Sequence, residues 1–375
     1  MSSIIFYQNT AFQGNKFKMN LTTITPRDFS DVMQNSRVSL EQFRGKSIFF
    51  TGATGFFGKW MTQILMGADR ELKLDFALTI ICRNREKVLD EQPWLNHSSV
   101  EIISADIRNF PIINKHFDYF IHGATAASAS LNDAHPEIMA DTIIEGTKRV
   151  LLQASLSNKP RFLFLSSGAV YGAQQADVLK APEDLTTGPN ISQASSAYGE
   201  AKRMAELYCQ FAQTQNKITL SVARCYAFLG PYLPIDQHFA AGNFIKNVLE
   251  RQTITLSGDG LPFRSYMYPT DLVEWLLAIL VNASEGAVFN VGSDQEIQLK
   301  DLAEMMNYER SGFELGIQGK GVEVLGVPCL GSKRNAYVPS TDKAKKELGL
   351  KIRVDLAQAI QRTISWHINS GERIK

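Results

Sequence analysis

The chain has 375 residues, is 44% hydrophobic and 21% charged, and carries a net charge of +1. That is the balance of an ordinary soluble globule, long enough for one large α/β domain with a lobe or for two domains. It gives no electrostatic reason to expect nucleic acid or an anionic membrane as a partner. The four cysteines, Cys82, Cys209, Cys225 and Cys329, are scattered and show no metal-ligand spacing. They suit reduced thiols in the cytoplasm and offer no metal site. No apolar run reaches the roughly 18 residues of a membrane helix. The N-terminal residues lack a basic segment followed by a sustained apolar core, as a secretion signal would require.

Residues 1–45 read as a polar extension, with a proline at the start of a short helix over Thr25–Gln34 or an irregular segment lying on the surface. Strands are then expected at Ser47–Thr51, Phe76–Cys82, Val100–Ser104, Tyr119–His122, Arg161–Leu165 and Leu220–Arg224. Helical patterns lie between them, at about Gly58–Ala68, Pro136–Ser155 and Ala197–Gln213. Short apolar strands alternating with helices predict an α/β fold, a doubly wound parallel sheet with helices on both faces. The alternation places a dinucleotide-binding domain at 46–231, with return segments at about 261–295, and Asn290-Val291-Gly292 bringing the chain back to the sheet. Residues 232–375 read mainly as a smaller C-terminal α/β substrate lobe.

The first strand-to-helix turn reads Gly52-Ala53-Thr54-Gly55-Phe56-Phe57-Gly58. Gly52 allows the tight turn, Gly55 lets a pyrophosphate approach the backbone at the helix N-terminus, and Gly58 lets the helix pack closely. Thr54, Phe56 and Phe57 belong to the same cradle. Asp106 ends the third strand, where a carboxylate can accept from an adenine amino group or simply cap the strand. At the end of the second strand, where an acid usually holds the ribose of NAD, the chain reads Cys82-Arg83-Asn84-Arg85. Arg83 suits the 2′-phosphate of NADP or belongs to a solvated basic loop. NAD and NADP both stay open.

Tyr198 and Lys202 stand four residues apart on a predicted helix and so share one face. They follow the glycine turn by about 140 residues. A free tyrosine has a pKa near 10 and is a poor base. An ammonium one turn away favours the phenolate, which can then take a proton from a hydroxyl as the adjoining carbon loses hydride. Ser167, at the end of the fifth strand, can hold the same hydroxyl.

These motifs resemble the extended short-chain dehydrogenase/reductases, and within them the nucleotide-sugar epimerase/dehydratase family. The likeness covers roughly residues 46–365 and rests on GATGFFG, Asp106, His122-Gly-Ala, FLFLSSGAVYG, YGEAK, RCYAFLGP, SGDGLPFRSYMYPTDL, FNVGS and YVPSTDKAKKELGL. It implies that Ser167, Tyr198 and Lys202 are catalytic and that Tyr198 and Lys202 also contact the cofactor. It adds Ile107 and Ala124 to the cofactor site. Arg264 is the implied handle on a nucleotide diphosphate, with Asn243 and Arg334 as further substrate residues. Arg264 otherwise forms an ion pair with Asp271, and Arg334 is otherwise a solvated loop charge. The dehydratases carry an Asp-Glu pair after the strand-end threonine, and decarboxylase relatives keep the glutamate. Here Gly168 and Ala169 stand there, and neither side chain serves as an acid or base for elimination. Two asparagines common in the family are replaced by Ile143 and Ala227.

The expected function is therefore 4-epimerase-type chemistry on a nucleotide-diphosphate sugar through a 4-keto intermediate. A 4,6-dehydratase, an NADPH-dependent ketosugar reductase and a non-catalytic dinucleotide sensor are the alternatives. The resemblance also implies a homodimer. Met204, Leu207, Tyr208 and Phe211 form a helical stripe that suits either such an interface or the core.

Overall fold

The computed structural model describes residues 23–125, 132, 134–235, 240–312, 320–328 and 333–370. Residues 1–22 of the expected extension and Cys329 lie outside them. Seven strands form one parallel sheet: β1 (Ser47–Thr51), β2 (Ala77–Cys82), β3 (Val100–Ser104), β4 (Tyr119–His122), β5 (Arg161–Ser167), β6 (Thr219–Cys225) and β9 (Ala287–Val291). Their order is β3-β2-β1-β4-β5-β6-β9. The chain steps outward from β1 to β3, then returns to place β4 on the other side of β1. The order reverses at that junction, and the crevice beyond the carboxyl ends of β1 and β4 is where a doubly wound sheet takes its ligand.

The strands are apolar on both faces because helices cover both. Ile48 and Phe50 point into one core with Trp60, Ile64 and Trp275. Phe49, between them, points into the other with Phe120, Phe162 and Phe164. Period-two alternation thus sends neighbouring aromatic residues of β1 to opposite sides. On the first face lie α1 (Pro26–Glu41), α2 (Phe56–Leu72) and, later in the chain, α7 (Pro269–Asn282), which is buried from Pro269 through Val281. Between α2 and β3 runs the short α3 (Arg85–Glu91). On the second face lie α4 (Pro136–Ala154) and α5 (Ala197–Thr214).

The remaining elements are α6 (Ala240–Leu249), β7 (Ile254–Leu256), β8 (Phe263–Arg264), β10 (Ile297–Gln298), α8 (Leu299–Gly312), β11 (Val322–Val324), β12 (Ala336–Tyr337), α9 (Asp342–Leu348) and α10 (Leu356–Ser370). They form two small sheets, β10-β8-β12 and β11-β7, with their helices. Among the described residues no helix is long and apolar enough to cross a membrane.

The expected helix at Thr25–Gln34 is longer than its sequence signals suggest, running Pro26–Glu41, and the segment is built into the fold rather than lying irregularly on its surface. The Thr25 side chain caps it by accepting from Asp28 N at 3.1 Å. Asp28 is fully buried and accepts from Arg362 of α10 at 2.8 Å and from the Tyr268 hydroxyl at 3.0 Å. An acid in a helical first turn reads as a surface feature. Here it joins the two ends of the chain.

Candidate active site

The turn after β1 has the shape expected of a phosphate cradle. Gly52 has φ +82°, and a Cβ placed there would stand 2.5 Å from the Gly123 carbonyl carbon, at the turn after β4. Only a residue without a side chain lets the two turns meet so closely. A Cβ at Gly58 would stand 2.2 Å from Ala53, so the first turn of α2 presses directly on the loop. Helix α2 begins without a side-chain cap, which leaves its first N–H groups for an anion. Phe56 and Phe57 are half-buried and face Phe228. Thr54 is also half-buried and Gly55 is exposed. Ala124 donates its N–H to Thr51 Oγ1 at 3.4 Å. Ile107 is buried against Gly146 of α4.

At the neighbouring strand ends, Asp106 is gripped by Arg108, whose Nε and Nη2 donate at 2.9 and 2.8 Å. These bonds hold its carboxyl below the usual range, with a smaller contribution from the charge of Arg83. Arg83 is exposed at the end of β2. Its influence on Asp106 places both residues on the same edge.

Tyr198, Lys202 and Ser167 come together. Gly199 lets α5 approach the turn after β5 closely: a Cβ there would lie 2.7 Å from Ala169 O. Asn132 accepts from Tyr198 N at 3.2 Å and donates to Ser195 O at 3.1 Å, clamping the helix start. The Ser167 side chain, which accepts from Ala169 N at 3.2 Å, lies close enough to the Tyr198 phenol to favour its ionised form. Lys202 is buried, donates Nζ to Leu165 O at 2.8 Å, and lies 5.0 Å above the Phe164 ring.

Electrostatics run against the simplest expectation for the base. Burial pushes the Tyr198 phenol up to about 12, although the neighbouring Ser167 favours the ionised form. Burial also pulls Lys202 down to about 8. The phenolate is thus disfavoured by the protein alone and depends on added positive charge in the crevice. His122 stands beneath, between Thr51 Oγ1 at 2.7 Å and Thr147 Oγ1 at 2.9 Å. Burial, helped by the charge of Lys202, lowers it to about 3, so it is a neutral, satisfied core residue.

The substrate-side candidates divide. Arg264, half-buried on β8, donates to Phe263 O at 2.7 Å and to Asn335 Oδ1 at 3.2 Å, and has no ion pair among the described residues. The alternative pairing with Asp271 does not occur. Asp271 Oδ2 accepts from the backbone N–H groups of Arg353 and Val354, both at 3.1 Å. Arg334 is neither a free handle nor a solvated loop charge: it pairs with Glu296 and lies 4.7 Å over the Phe263 ring. Asn243 is exposed on α6. Sequence reasoning missed Tyr226 and Tyr337. Their rings pack with centroids 4.6 Å apart, and the Tyr337 hydroxyl lies 2.8 Å from where a Cβ on Gly168 would stand. Both residues stand inside motifs already singled out, RCYAFLGP and YVPSTDKAKKELGL. What gives them their place is contact between segments about 110 residues apart, which no local pattern carries.

A phosphate cradle at the switch point of a doubly wound sheet, with a serine, a tyrosine and a lysine converging beyond β5, defines a dinucleotide-dependent α/β enzyme. The chain belongs to the NAD-dependent epimerase/dehydratase family, whose model matches residues 48–292. It is 28% identical over 322 residues to UDP-glucuronic acid decarboxylase 1 of Xenopus tropicalis, covering 86% of this chain and 72% of that one. It is 29% identical over 316 residues to UDP-glucuronic acid decarboxylase 4 of Arabidopsis thaliana, covering 84% and 66%. Among solved structures it resembles UDP-glucose 4-epimerase of Thermotoga maritima, with TM-score 0.71 and 21% identity over 86% of this chain and 99% of that one. A dTDP-glucose 4,6-dehydratase of Streptomyces venezuelae, solved with NAD bound, gives TM-score 0.71 and 21% identity over 86% and 97%.

Proposed function

We propose that this protein is an NAD-dependent enzyme of nucleotide-diphosphate sugars that works through a 4-keto intermediate, with 4-epimerisation as its net reaction. One observation carries the choice of reaction. Ser167, Tyr198 and Lys202 converge at the end of β5, while the two positions that follow, Gly168 and Ala169, bear no acid or base. Oxidation at C4 needs the first set, and elimination of water needs groups that the second set lacks.

The missing Cβ of Gly52 and the uncapped start of α2 fit the pyrophosphate of NAD, with Asp106, Ile107 and Ala124 along the same edge. When bound, NAD supplies the acceptor and donor of the hydride at the sugar carbon. Tyr198 takes the proton of the C4 hydroxyl and Ser167 holds that hydroxyl in place. Lys202 keeps a positive charge near the phenolate. Arg264, free of acidic partners among the described residues, serves as the handle for the diphosphate. Residues 46–231, with the return segments at about 261–295, are assigned to the cofactor and 232–375 mainly to the sugar nucleotide.

An NADPH-consuming ketosugar reductase is the second reading, favoured by exposed Arg83 at the end of β2, beside Asp106. A homodimer is supported by α5, where Met204, Leu207 and Phe211 are 43%, 45% and 46% exposed rather than core. A cytoplasmic location suits Cys82, Cys209 and Cys225, all free and buried.

The test is mass spectrometry and chromatography of products from UDP-, dTDP-, GDP- and CDP-sugars, UDP-glucuronate among them. A product of unchanged mass and altered retention supports epimerisation. Loss of water or carbon dioxide refutes it. Stoichiometric consumption of added NADPH assigns the protein to the reductases.

A further inference from the structure

Asp106 stands on a backbone that is held from several sides. Ala105 N, just past β3, donates to Cys82 O at 2.8 Å, which sets Asp106 level with Arg83 at the crevice edge. Asn109 N donates back to Asp106 O at 3.1 Å and closes a turn. Ile107, inside that turn, is buried, and its side chain lies 3.1 Å from where a Cβ on Gly146 of α4 would stand. The rotation of the Asp106 carboxylate is the one freedom this backbone leaves, and Arg108 removes it.

Three hydrogen bonds do so. Oδ1 accepts from Arg108 N and from Arg108 Nε, both at 2.9 Å. Oδ2 accepts from Arg108 Nη2 at 2.8 Å. A carboxylate has about four acceptor positions, two on each oxygen. Arg108 fills both positions on Oδ1 and one on Oδ2, so a single acceptor position remains, on Oδ2. The next polar group along the chain is the Ile107 N–H, which has no partner among the described residues. An acceptor followed by a donor matches the edge of adenine, whose 6-amino group donates and whose N1 accepts. Hypoxanthine presents the reverse, a carbonyl oxygen at position 6 and an N1–H. The Arg108 and Asp106 side chains are 42% and 33% exposed, and an ion pair so open to water contributes little to stability. Its effect is on direction: a planar fork bonded to both oxygens fixes the plane of the carboxylate.

We propose that Arg108 is a positioning residue for the base of the cofactor: it locks Asp106 so that the one open acceptor position meets the 6-amino group, and the site thereby selects adenine over hypoxanthine. This rests on the reading of the crevice edge beyond β3 as the adenine site.

The test is a competition. The purified protein is equilibrated with NAD and nicotinamide hypoxanthine dinucleotide until the bound mixture no longer changes, and mass spectrometry of the bound fraction gives the ratio of affinities. If the wild type holds the 2′-phosphorylated dinucleotides more tightly, that pair is used instead. The wild type should favour the adenine form ~tenfold or more, the scale of a hydrogen bond to a charged group. Arg108→Ala and Arg108→Lys should each reduce the preference to ~threefold or less, because an ammonium keeps the charge and cannot hold both oxygens. Asp106→Asn should abolish it, and Arg108→Ala should add nothing in that background. A merely structural arginine would weaken both dinucleotides alike and leave the ratio unmoved. An unmoved ratio in the Arg108 variants, or its restoration by Arg108→Lys, overturns the positioning role, and should Arg108→Ala not fold, an unmoved ratio in Arg108→Lys does so alone. A preference lost in Asp106→Asn and kept in the Arg108 variants upholds the adenine site and overturns Arg108. A wild type without preference, or one whose preference survives Asp106→Asn, overturns the adenine site and the role of Arg108 together.

Discussion

Lys202→Met should leave the cofactor-free protein as stable as the wild type or more so, while abolishing turnover. Lys202 is 2% exposed. Burial, the largest influence on it, lowers its pKa from 10.5 to about 8. A fall of about 2.5 at ~1.36 kcal/mol each amounts to ~3.4 kcal/mol by which the folded state disfavours the ammonium at pH 7. Methionine removes that penalty and fills most of the volume. It also leaves Leu165 O without its donor, at a cost of ~1–3 kcal/mol. The balance at pH 7 lies between about zero and ~2 kcal/mol in favour of the variant. The pH dependence sharpens the case. A lysine whose folded pKa lies below its unfolded value binds fewer protons folded than unfolded, so wild-type stability should rise between about pH 8 and 10.5. Lys202→Met should lack that rise. Urea unfolding of both proteins across this range measures it. A variant less stable than wild type by ~2 kcal/mol or more at pH 7, or the same slope in both above pH 8, would refute the reasoning.

Four further outcomes follow from the same geometry. Tyr198→Phe should abolish product formation with NAD affinity within about twofold, since the ring still packs; nucleotide binding and product chromatography check it. Gly52→Ala should destabilise by ~1–3 kcal/mol, because residue 52 sits at φ +82° with backbone 2.5 Å from the new Cβ, and should weaken NAD binding; thermal melts and fluorescence titration read both. Arg264→Ala should raise KM for the nucleotide sugar and lower kcat with the melting temperature nearly unchanged, and Arg264→Lys should restore only part; a large loss of stability with normal affinity would make Arg264 structural. Leu207→Asp, on the exposed stripe of α5, should convert a dimer to monomers in light scattering, and a monomeric wild type at micromolar concentration would end the dimer proposal.

What could be read in the sequence was what is local. The strand starts, the glycine turn and the four-residue spacing of Tyr198 and Lys202 depend on neighbours in the chain, and the sheet carries them where their periods indicate. Helix ends were less legible: α2 begins at Phe56, inside the glycine motif, rather than at Gly58. The stripe of α5 illustrates a real ambiguity. Met204, Leu207 and Phe211 share one apolar spacing, and only tertiary contacts leave that face exposed while Ala201, Ala205, Cys209 and Ala212 go inward. Arg334 shows a contact of the opposite kind. Its occupation by Glu296, far along the chain, has no sequence signature. The raised phenol of Tyr198 was invisible for a related reason: desolvation is a property of the packed site, whereas residue spacing indicates only the favourable charge.

The face of α5 that carries Tyr198 and Lys202 continues to Glu206, four residues further. A carboxylate so near would ordinarily claim the lysine in an ion pair and cancel the charge that the phenolate needs. Here it does not. Arg224 donates to Glu206 from Nε at 3.0 Å and from Nη2 at 2.7 Å, and Ser166 Oγ donates at 2.5 Å. Arg224 is itself fixed by the Tyr171 hydroxyl at 2.8 Å, which donates to Asn290 of β9 at 2.9 Å. A largely buried ion pair of this kind contributes little net stability, because desolvation offsets most of its attraction. Its consequence is local. With Glu206 satisfied by Arg224, the Lys202 ammonium has a backbone carbonyl for its partner rather than a carboxylate. The helix thus presents base, cation and ion-paired acid in order along one face, and the arginine that looks structural holds the Glu206 carboxylate away from a direct pair with Lys202.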